Sequence, residues 1–206
     1  MTPEKTVERL SLYRRFLKQL KDDGVKNVYS HHLADLSRGT PAQVRRDLML
    51  IGYNGSPQKG YDVPELIKHI DNFFNTDELV NVVLVGVGNV GRALLSYFRS
   101  GKSHINIIAS FDTDETKTDR IINNCTCHHI SKLSEFISDK NIKVGILTAP
   151  ATEAQVIANT MIGSGITGIL NFAPVRLKVP QTIFVEDVDL TMNIEKVLYF
   201  ASGKQV

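Results

Sequence analysis

Val82-Val83-Leu84-Val85 runs directly into Gly86-Val87-Gly88-Asn89-Val90-Gly91, and Arg92-Ala93-Leu94-Leu95-Ser96-Tyr97-Phe98 follows at helical spacing. An apolar strand, a glycine-rich turn and an amphipathic helix in that order leave few folds open. Gly86 permits a tight turn, Gly88 keeps a Cβ out of the path of a pyrophosphate, and Gly91 lets the helix pack closely on the strand. The free N–H groups and the positive end of the helix then face the phosphates. A second apolar run, Ile105 to Phe111, ends at Asp112, which is 21 residues past Gly91. That spacing suits an acid accepting hydrogen bonds from both hydroxyls of an adenosine ribose. Such a carboxylate repels a 2′-phosphate, and Thr113-Asp114-Glu115 offers no cation to receive one. The pattern therefore predicts NAD(H) over NADP(H). The competing explanation is a doubly wound sheet whose glycines are accidental.

Lys143 to Leu147 and Gly168 to Leu170 continue the sheet as short buried strands, with a helix from Glu153 to Ile162 between them. Ligands sit at the carboxyl ends of parallel strands. Those ends carry Thr148-Ala149-Pro150 and Asn171-Phe172-Ala173-Pro174, which are expected to wall a nicotinamide ring or else to be plain loops with a proline stop. A dehydrogenase also needs an acid or base and a substrate pocket. After a last strand near Ile183-Phe184-Val185, about twenty residues remain, room for one helix but short of a typical domain. The histidines stand at 31, 32, 69, 104, 128 and 129, none at an expected carboxyl strand end. Cys125-Thr126-Cys127-His128-His129 lacks the paired C-x-x-C spacing of structural zinc and reads as a surface loop, so no metal is expected.

Residues 1–75 have a different grammar. Val7, Leu10, Leu12, Tyr13, Phe16, Leu17 and Leu20 recur at helical spacing up to Asp23-Gly24. A short helix is expected from Ser30, taken as its N-cap, through Leu36, and Ser37-Arg38-Gly39 makes a turn. Thr40 caps a third helix, Pro41 opens it, and Ala42 to Ile51 continue it to Gly52. Val44, Leu48 and Ile51 form its apolar stripe, with Gln43, Arg45, Arg46 and Asp47 mostly off it. Tyr53 to Tyr61 is rich in turn formers and suits a hairpin tip. Three helices and a hairpin spell a winged helix-turn-helix, whose third helix fits the major groove. Gln43, Arg45 and Arg46 would read base edges and Lys59 would meet phosphate. The plainer alternative is a small helical bundle with a solvated Arg45-Arg46 pair.

The 206 residues are 42% hydrophobic and 22% charged, which suits one ordinary domain or two small ones and argues against a disordered chain. No apolar run approaches the roughly 20 residues of a membrane span, and MTPEKTVERL has no apolar signal core, so a cytoplasmic protein is expected. Residues 1–75 hold 12 Lys+Arg against 9 Asp+Glu, which permits an anionic partner at that end without demanding one. The change of grammar near Asn75-Thr76-Asp77 places a boundary there, giving expected domains 1–76, 77–187 and 188–206.

Seven blocks in order carry a resemblance along nearly the whole chain. They are Glu8-Arg9-Leu10-Ser11-Leu12-Tyr13, Ala42-Gln43-Val44-Arg45-Arg46-Asp47-Leu48, Gly60-Tyr61-Asp62-Val63, Gly86-Val87-Gly88-Asn89-Val90-Gly91-Arg92-Ala93-Leu94, Phe111-Asp112-Thr113-Asp114, Gly168-Ile169-Leu170-Asn171-Phe172-Ala173-Pro174-Val175 and Val188-Asp189-Leu190. The sequence resembles the Rex family of bacterial redox-sensing transcriptional repressors. The resemblance implies an α/β homodimer: an N-terminal winged helix-turn-helix, a doubly wound Rossmann core and a C-terminal helix, about Thr191 to Ala201, swapped onto the partner. It implies binding to palindromic double-stranded operator DNA, release by NADH and compatibility with NAD+. DNA-reading positions carry over to Gln43, Arg45, Arg46 and Lys59. Cofactor positions carry over to Gly86, Gly88, Asn89, Val90, Gly91 and Asp112, with Val87 inside the same motif. A polar switch carries over to Arg15, Tyr97 and Asp189. The chain departs from the family at Pro57-Gln58 in the wing, at Leu50-Ile51 where aromatics are preferred, and at Leu190, where a Phe often reaches into the partner's cofactor pocket. Two rival expectations remain: a small NAD-dependent oxidoreductase, and a DNA-binding regulator sensing another nucleotide such as a CoA ester.

Overall fold

The computed structural model describes residues 2–56, 58–75, 79–99 and 104–203. The chain forms two compact units, Met1–Glu78 and Leu79–Val206. The expected boundary at 76/77 and the wing residue Pro57 fall outside the described residues.

The first unit holds α1 (Glu4–Asp22), β1 (Asn27–Val28), α2 (Ser30–Ser37), α3 (Pro41–Leu50), β2 (Tyr61–Asp62) and α4 (Val63–Phe74). Leu10, Tyr13 and Leu17 recur every three or four residues, so α1 turns all three inward against Leu33, Val44, Leu48, Leu66 and Ile70. Gly24, at φ +77°, follows the end of α1 in the left-handed region that glycine adopts without strain. Thr40 Oγ1 accepts from the Gln43 amide at 3.2 Å and Pro41 opens α3. Asp62 caps α4 in the same way, at 2.9 Å from the Glu65 amide. The 53–61 segment closes as an antiparallel bridge between Ser56 and Gly60, and β2 then pairs with β1.

One expectation for this unit needs correction, and one charged residue is buried. Ser30 is the first residue of α2, with Tyr29 at the cap position; the Ser30 hydroxyl instead accepts from Arg45 Nη1 at 3.2 Å. Asp47 lies off the apolar stripe yet is not left to solvent. It is 4% exposed, accepts from Arg9 Nε and Nη2 at 2.7 Å each, and takes the Tyr13 hydroxyl at 3.0 Å.

Burial, aided by the hydrogen bond to Asp47, pushes the Tyr13 hydroxyl up to about 12, and burial with Glu65 nearby does the same for Tyr53. Both phenols therefore ionise more readily in the unfolded chain. Their contribution is fully present below the ordinary tyrosine value near 10 and is lost as pH climbs toward 12. A tyrosinate absorbance titration with circular dichroism is expected to show late ionisation accompanied by loss of helix. Six tyrosines ionising together near pH 10 with the helices intact would contradict this account.

The second unit holds β3 (Val80–Val85), α5 (Asn89–Phe98), β4 (Ile105–Asp112), β5 (Arg120–Ile122), β6 (Cys125–His129), α6 (Leu133–Asp139), β7 (Val144–Leu147), α7 (Ala151–Gly163), β8 (Gly168–Asn171), β9 (Phe184–Asp187) and α8 (Leu190–Ala201). The sheet order is β5-β6-β4-β3-β7-β8-β9, and every neighbouring pair is parallel except β5 with β6. The strands of β3 alternate between two cores: Val83 and Val85 pack on one face, Val82 and Leu84 on the other. Burial on both faces is what a continuous apolar run in a parallel strand requires. The chain builds outward from β3 through β4 and β6, then crosses to β7. The carboxyl ends of β3 and β7 therefore flank a switch point, where such sheets hold ligands.

Cys125 to His129 is a strand, not a surface loop. Cys125 and Cys127 alternate onto the buried face beside Leu95 and Ile146, at 5% and 0% exposure. His129 consequently does stand at a carboxyl strand end, where its Nδ1 lies 2.8 Å from Ser131 Oγ. No group of three His, Cys, Asp or Glu suited to a metal occurs among the described residues.

Candidate dinucleotide and nucleic-acid sites

Gly86 has φ +100°, and a Cβ there would lie 2.8 Å from the Thr148 carbonyl carbon. A Cβ on Gly91 would collide with the Gly86 carbonyl oxygen. Gly88 is different: a Cβ there would meet no protein atom within 4 Å. Two glycines are thus demanded by packing, while the third faces the open cavity. Gly88 is the N-cap of α5 and brings no side-chain cap, so the first-turn amides stand ready for an anion. The cavity in front of them has a volume of about 550 Å³ and is lined by Gly86, Gly88 and Val90 from the glycine turn and by Asp112 from β4. These features fit a dinucleotide.

Asp112 ends β4, and its Oδ2 accepts from the Val87 amide at 2.7 Å and from Lys117 Nζ at 3.2 Å. Oδ1 accepts from the Asp114 amide at 2.9 Å. Burial works to raise the Asp112 carboxyl, but these amides and the Lys117 ammonium outweigh it and hold the group below its ordinary value. It is a charged acceptor at neutral pH. A carboxylate has about four lone-pair positions, and three are taken. One ribose hydroxyl fits directly, and the second requires Lys117 to yield. Thr113-Asp114-Glu115 carries no cation, but Lys117, two residues further on, reaches the acid. It lies 3.3 Å from Asp114 as well, so its charge is committed between two carboxylates and the trio stays net negative. That balance still disfavours a 2′-phosphate.

The other expected cofactor positions divide. Ala149, Pro150 and Phe172 line the cavity. Thr148 lines it too, but its hydroxyl lies 2.5 Å from the Gly86 carbonyl oxygen and 3.1 Å from that of Val85, so it clamps the glycine turn. Val87 buries its side chain completely and acts through its amide on Asp112. Asn89 opens α5 and is exposed, without lining the cavity. Asn171 does not face the cavity at all. It is 1% exposed, donates to the Val175 carbonyl and Asp187 Oδ1 at 2.9 and 2.8 Å, and accepts from the Ala173 amide at 3.0 Å. Its amide shapes the loop that presents Phe172. Lys117, Ile130, Glu153 and Ile157 also line the cavity and were not expected. Ile130 could have been found had β6 been recognised, because it directly follows that strand's carboxyl end.

A second cavity of about 520 Å³ shares Val90, Phe172 and Pro174 with the first and is bordered by Asp189 and Leu190. Asp189 Oδ1 caps α8, accepting from the Met192 amide at 2.9 Å. Tyr97 is 72% exposed and meets Phe98 edge-on at 5.1 Å. Arg15, in the first unit, is exposed and lies over the Phe16 ring at 5.6 Å.

In the first unit Arg45 and Arg46 are exposed on α3 and Gln43 is half-buried in its first turn. Lys59 is exposed in the 56–60 turn, whose backbone is held by Ser56 Oγ and by Asn27. These side chains form the outward face of α3 and of the turn after it.

A family model described as "Putative DNA-binding protein N-terminus" matches residues 2–48, and one described as "CoA binding domain" matches residues 77–175. The "Redox-sensing transcriptional repressor Rex" of Lactobacillus acidophilus is 36% identical over 203 residues, covering 98% of this chain and 96% of that protein. Among solved structures, RSP, a Rex-family repressor, in complex with β-NADH matches at a TM-score of 0.88 and 29% identity over 99% of this chain and 96% of that one. RSP in complex with β-NAD+ and operator DNA matches at a TM-score of 0.86 and 29% identity over 100% and 99% of the two chains. With this identity extending through both units, the chain belongs to the Rex family of redox-sensing transcriptional repressors.

Proposed function

We propose that this chain is a repressor that holds palindromic operator DNA and releases it when NADH binds, so that operator occupancy reports the ratio of NADH to NAD+. One observation carries the reading: a groove-sized helix with outward arginines and a dinucleotide cradle occur in a single short chain, and RSP, similar along its whole length, is known both with NADH and with NAD+ plus operator DNA. α3 and the 56–60 turn act as the recognition helix and wing of a winged helix. Gln43, Arg45 and Arg46 read bases and Lys59 meets phosphate.

The working form is a homodimer in the cytoplasm. In support, α8 leaves the large apolar side chains Ile194, Val197, Leu198 and Phe200 60–75% exposed, and clustered exposed apolar groups mark interaction sites. No described helix is long and apolar enough to cross a membrane. A two-fold pair of α3 helices matches a palindrome. Arg15, Tyr97 and Asp189 serve as the polar switch, with Asp189 standing at the cavity's edge. Leu190 beside it occupies the position from which an aromatic often reaches the partner's cofactor.

NADH releases DNA only if it binds the DNA-incompetent dimer more tightly. Reciprocally, operator DNA weakens NADH binding by the same factor. Titrating operator-bound protein with NADH and with NAD+ tests this; release by NADH alone is expected, and equal effects of both would end the redox reading. In the same assay Arg45→Ala or Arg46→Ala is expected to cost about 1–3 kcal/mol of operator affinity. The acid pair at Asp112 and Asp114 disfavours the 3′-phosphate of a CoA ester for the reason it disfavours a 2′-phosphate.

A further inference from the structure

His31 and His32 stand in the first turn of α2 with ring centroids 4.0 Å apart. Tyr29 stacks on His31 at 5.7 Å with 15° between the planes and meets His32 edge-on at 5.9 Å. The cluster is tied to both parts of the proposed DNA-reading face. The Tyr29 hydroxyl donates to the Gln58 carbonyl at 3.1 Å, and the intervening Ser30 takes the hydrogen bond from Arg45. A cavity of about 300 Å³ bordered by Tyr29, Ser30, Arg45 and Ser56 lies alongside. Both imidazoles are exposed, and neither makes a hydrogen bond or ion pair among the described residues. Tyr29 thus fixes two ring edges toward solvent next to the arginine helix, with no acceptor of their own.

We propose that His31 and His32 are a clamp for the duplex phosphate backbone. The proposal rests on duplex DNA being the partner. A phosphate between the two rings supplies the acceptor that neither has among the described residues. The surrounding charges do not already perform this task. On α2 itself Asp35 lies one turn further along; on α3 the neighbours are Arg45 and Arg46; in the 56–60 turn it is Lys59. α1 meets α2 at its far end, where Tyr13 reaches Ser37, and Arg9 on α1 is held by Asp47. Arg45, Arg46 and Lys59 make the proposed DNA-reading face cationic, and an anion is what such a face receives. Imidazole changes charge between about pH 5 and 8. If DNA binding takes up protons there, linkage requires affinity to rise as pH falls.

Phosphate contacts are independent of sequence, so a mixed-sequence duplex of about 30 base pairs serves as the probe. Fluorescence anisotropy at low salt is expected to show wild-type affinity about tenfold higher near pH 6 than near pH 8. The slope of log affinity against log salt should steepen by about 1–2 over the same interval, at roughly 0.9 per phosphate neutralised. The pair H31Q/H32Q should flatten both effects, each single variant should remove part, and His69→Gln, on α4 of the same unit, should leave them intact. All of these side chains are at least partly exposed, and circular dichroism checks the fold. An undiminished pH dependence in H31Q/H32Q would overturn the clamp while leaving the repressor reading standing. A wild-type chain that ignores duplexes at every pH would overturn both.

Discussion

Asp47→Ala is expected to unfold the DNA-reading unit under conditions in which the wild type is intact. The carboxylate sits on α3 yet is 4% exposed, and it accepts two hydrogen bonds from Arg9 and one from Tyr13 across 38 and 34 residues of sequence. Removing it leaves a guanidinium only one-fifth exposed and a buried phenol without their acceptor. Breaking one side of such a pair costs about 3–5 kcal/mol. The lower end applies here because Arg9 keeps some solvent. That is a large share of the 5–15 kcal/mol that holds a typical domain together. Thermal melting by circular dichroism should show an early transition for the N-terminal helices, and duplex binding should vanish with them. NADH binding, followed by its fluorescence, should persist because its cavity belongs to the other unit. A melting curve that overlays the wild type would remove the structural role assigned to this carboxylate.

Gly91→Ala is expected to produce the opposite separation: a protein that still grips its operator but is deaf to NADH. The added methyl strikes the Gly86 carbonyl oxygen and approaches Thr148 Oγ1 to 3.1 Å. Neither can withdraw easily, because Thr148 itself holds the Gly86 carbonyl and Gly86 already sits at φ +100°. The start of α5 must then shift away from β3, carrying the phosphate-facing amides with it. A loss of dinucleotide affinity of about 100-fold corresponds to about 2.8 kcal/mol. Gly88→Ala is the informative companion. Its methyl would meet no protein atom within 4 Å, so the melting temperature should stay put while dinucleotide affinity falls. Unchanged affinity in Gly88→Ala would mean that the diphosphate does not pass over this turn.

The parts of the structure that were legible in advance are those written locally. The glycine turn, the acid at the end of β4, the Thr40 cap and the periodic face of α1 each depend on residues within a few positions of one another. What escaped depends on partners distant in sequence or on a strand too short to announce itself. Asp47 lies off the apolar stripe of α3, and nothing nearby in sequence names Arg9 as its partner. Lys117 lies beyond the three residues that follow Asp112, and the 115–119 turn folds the chain back onto that acid. Asn171 looked like a ligand contact because it ends a parallel strand, yet its amide is fully used in holding the following loop. The thiol chemistry of Cys125 and Cys127 hides what their spacing of two marks, a strand with one buried face.

The uncovered face of α8 sets a quantity that no residue in either site can tune. If two chains must meet there to present paired recognition helices, the fraction competent to repress falls with dilution by simple mass action. The number of molecules a cell holds is then itself a regulatory input. Below some copy number, promoters open although the balance of oxidised and reduced coenzyme has not moved.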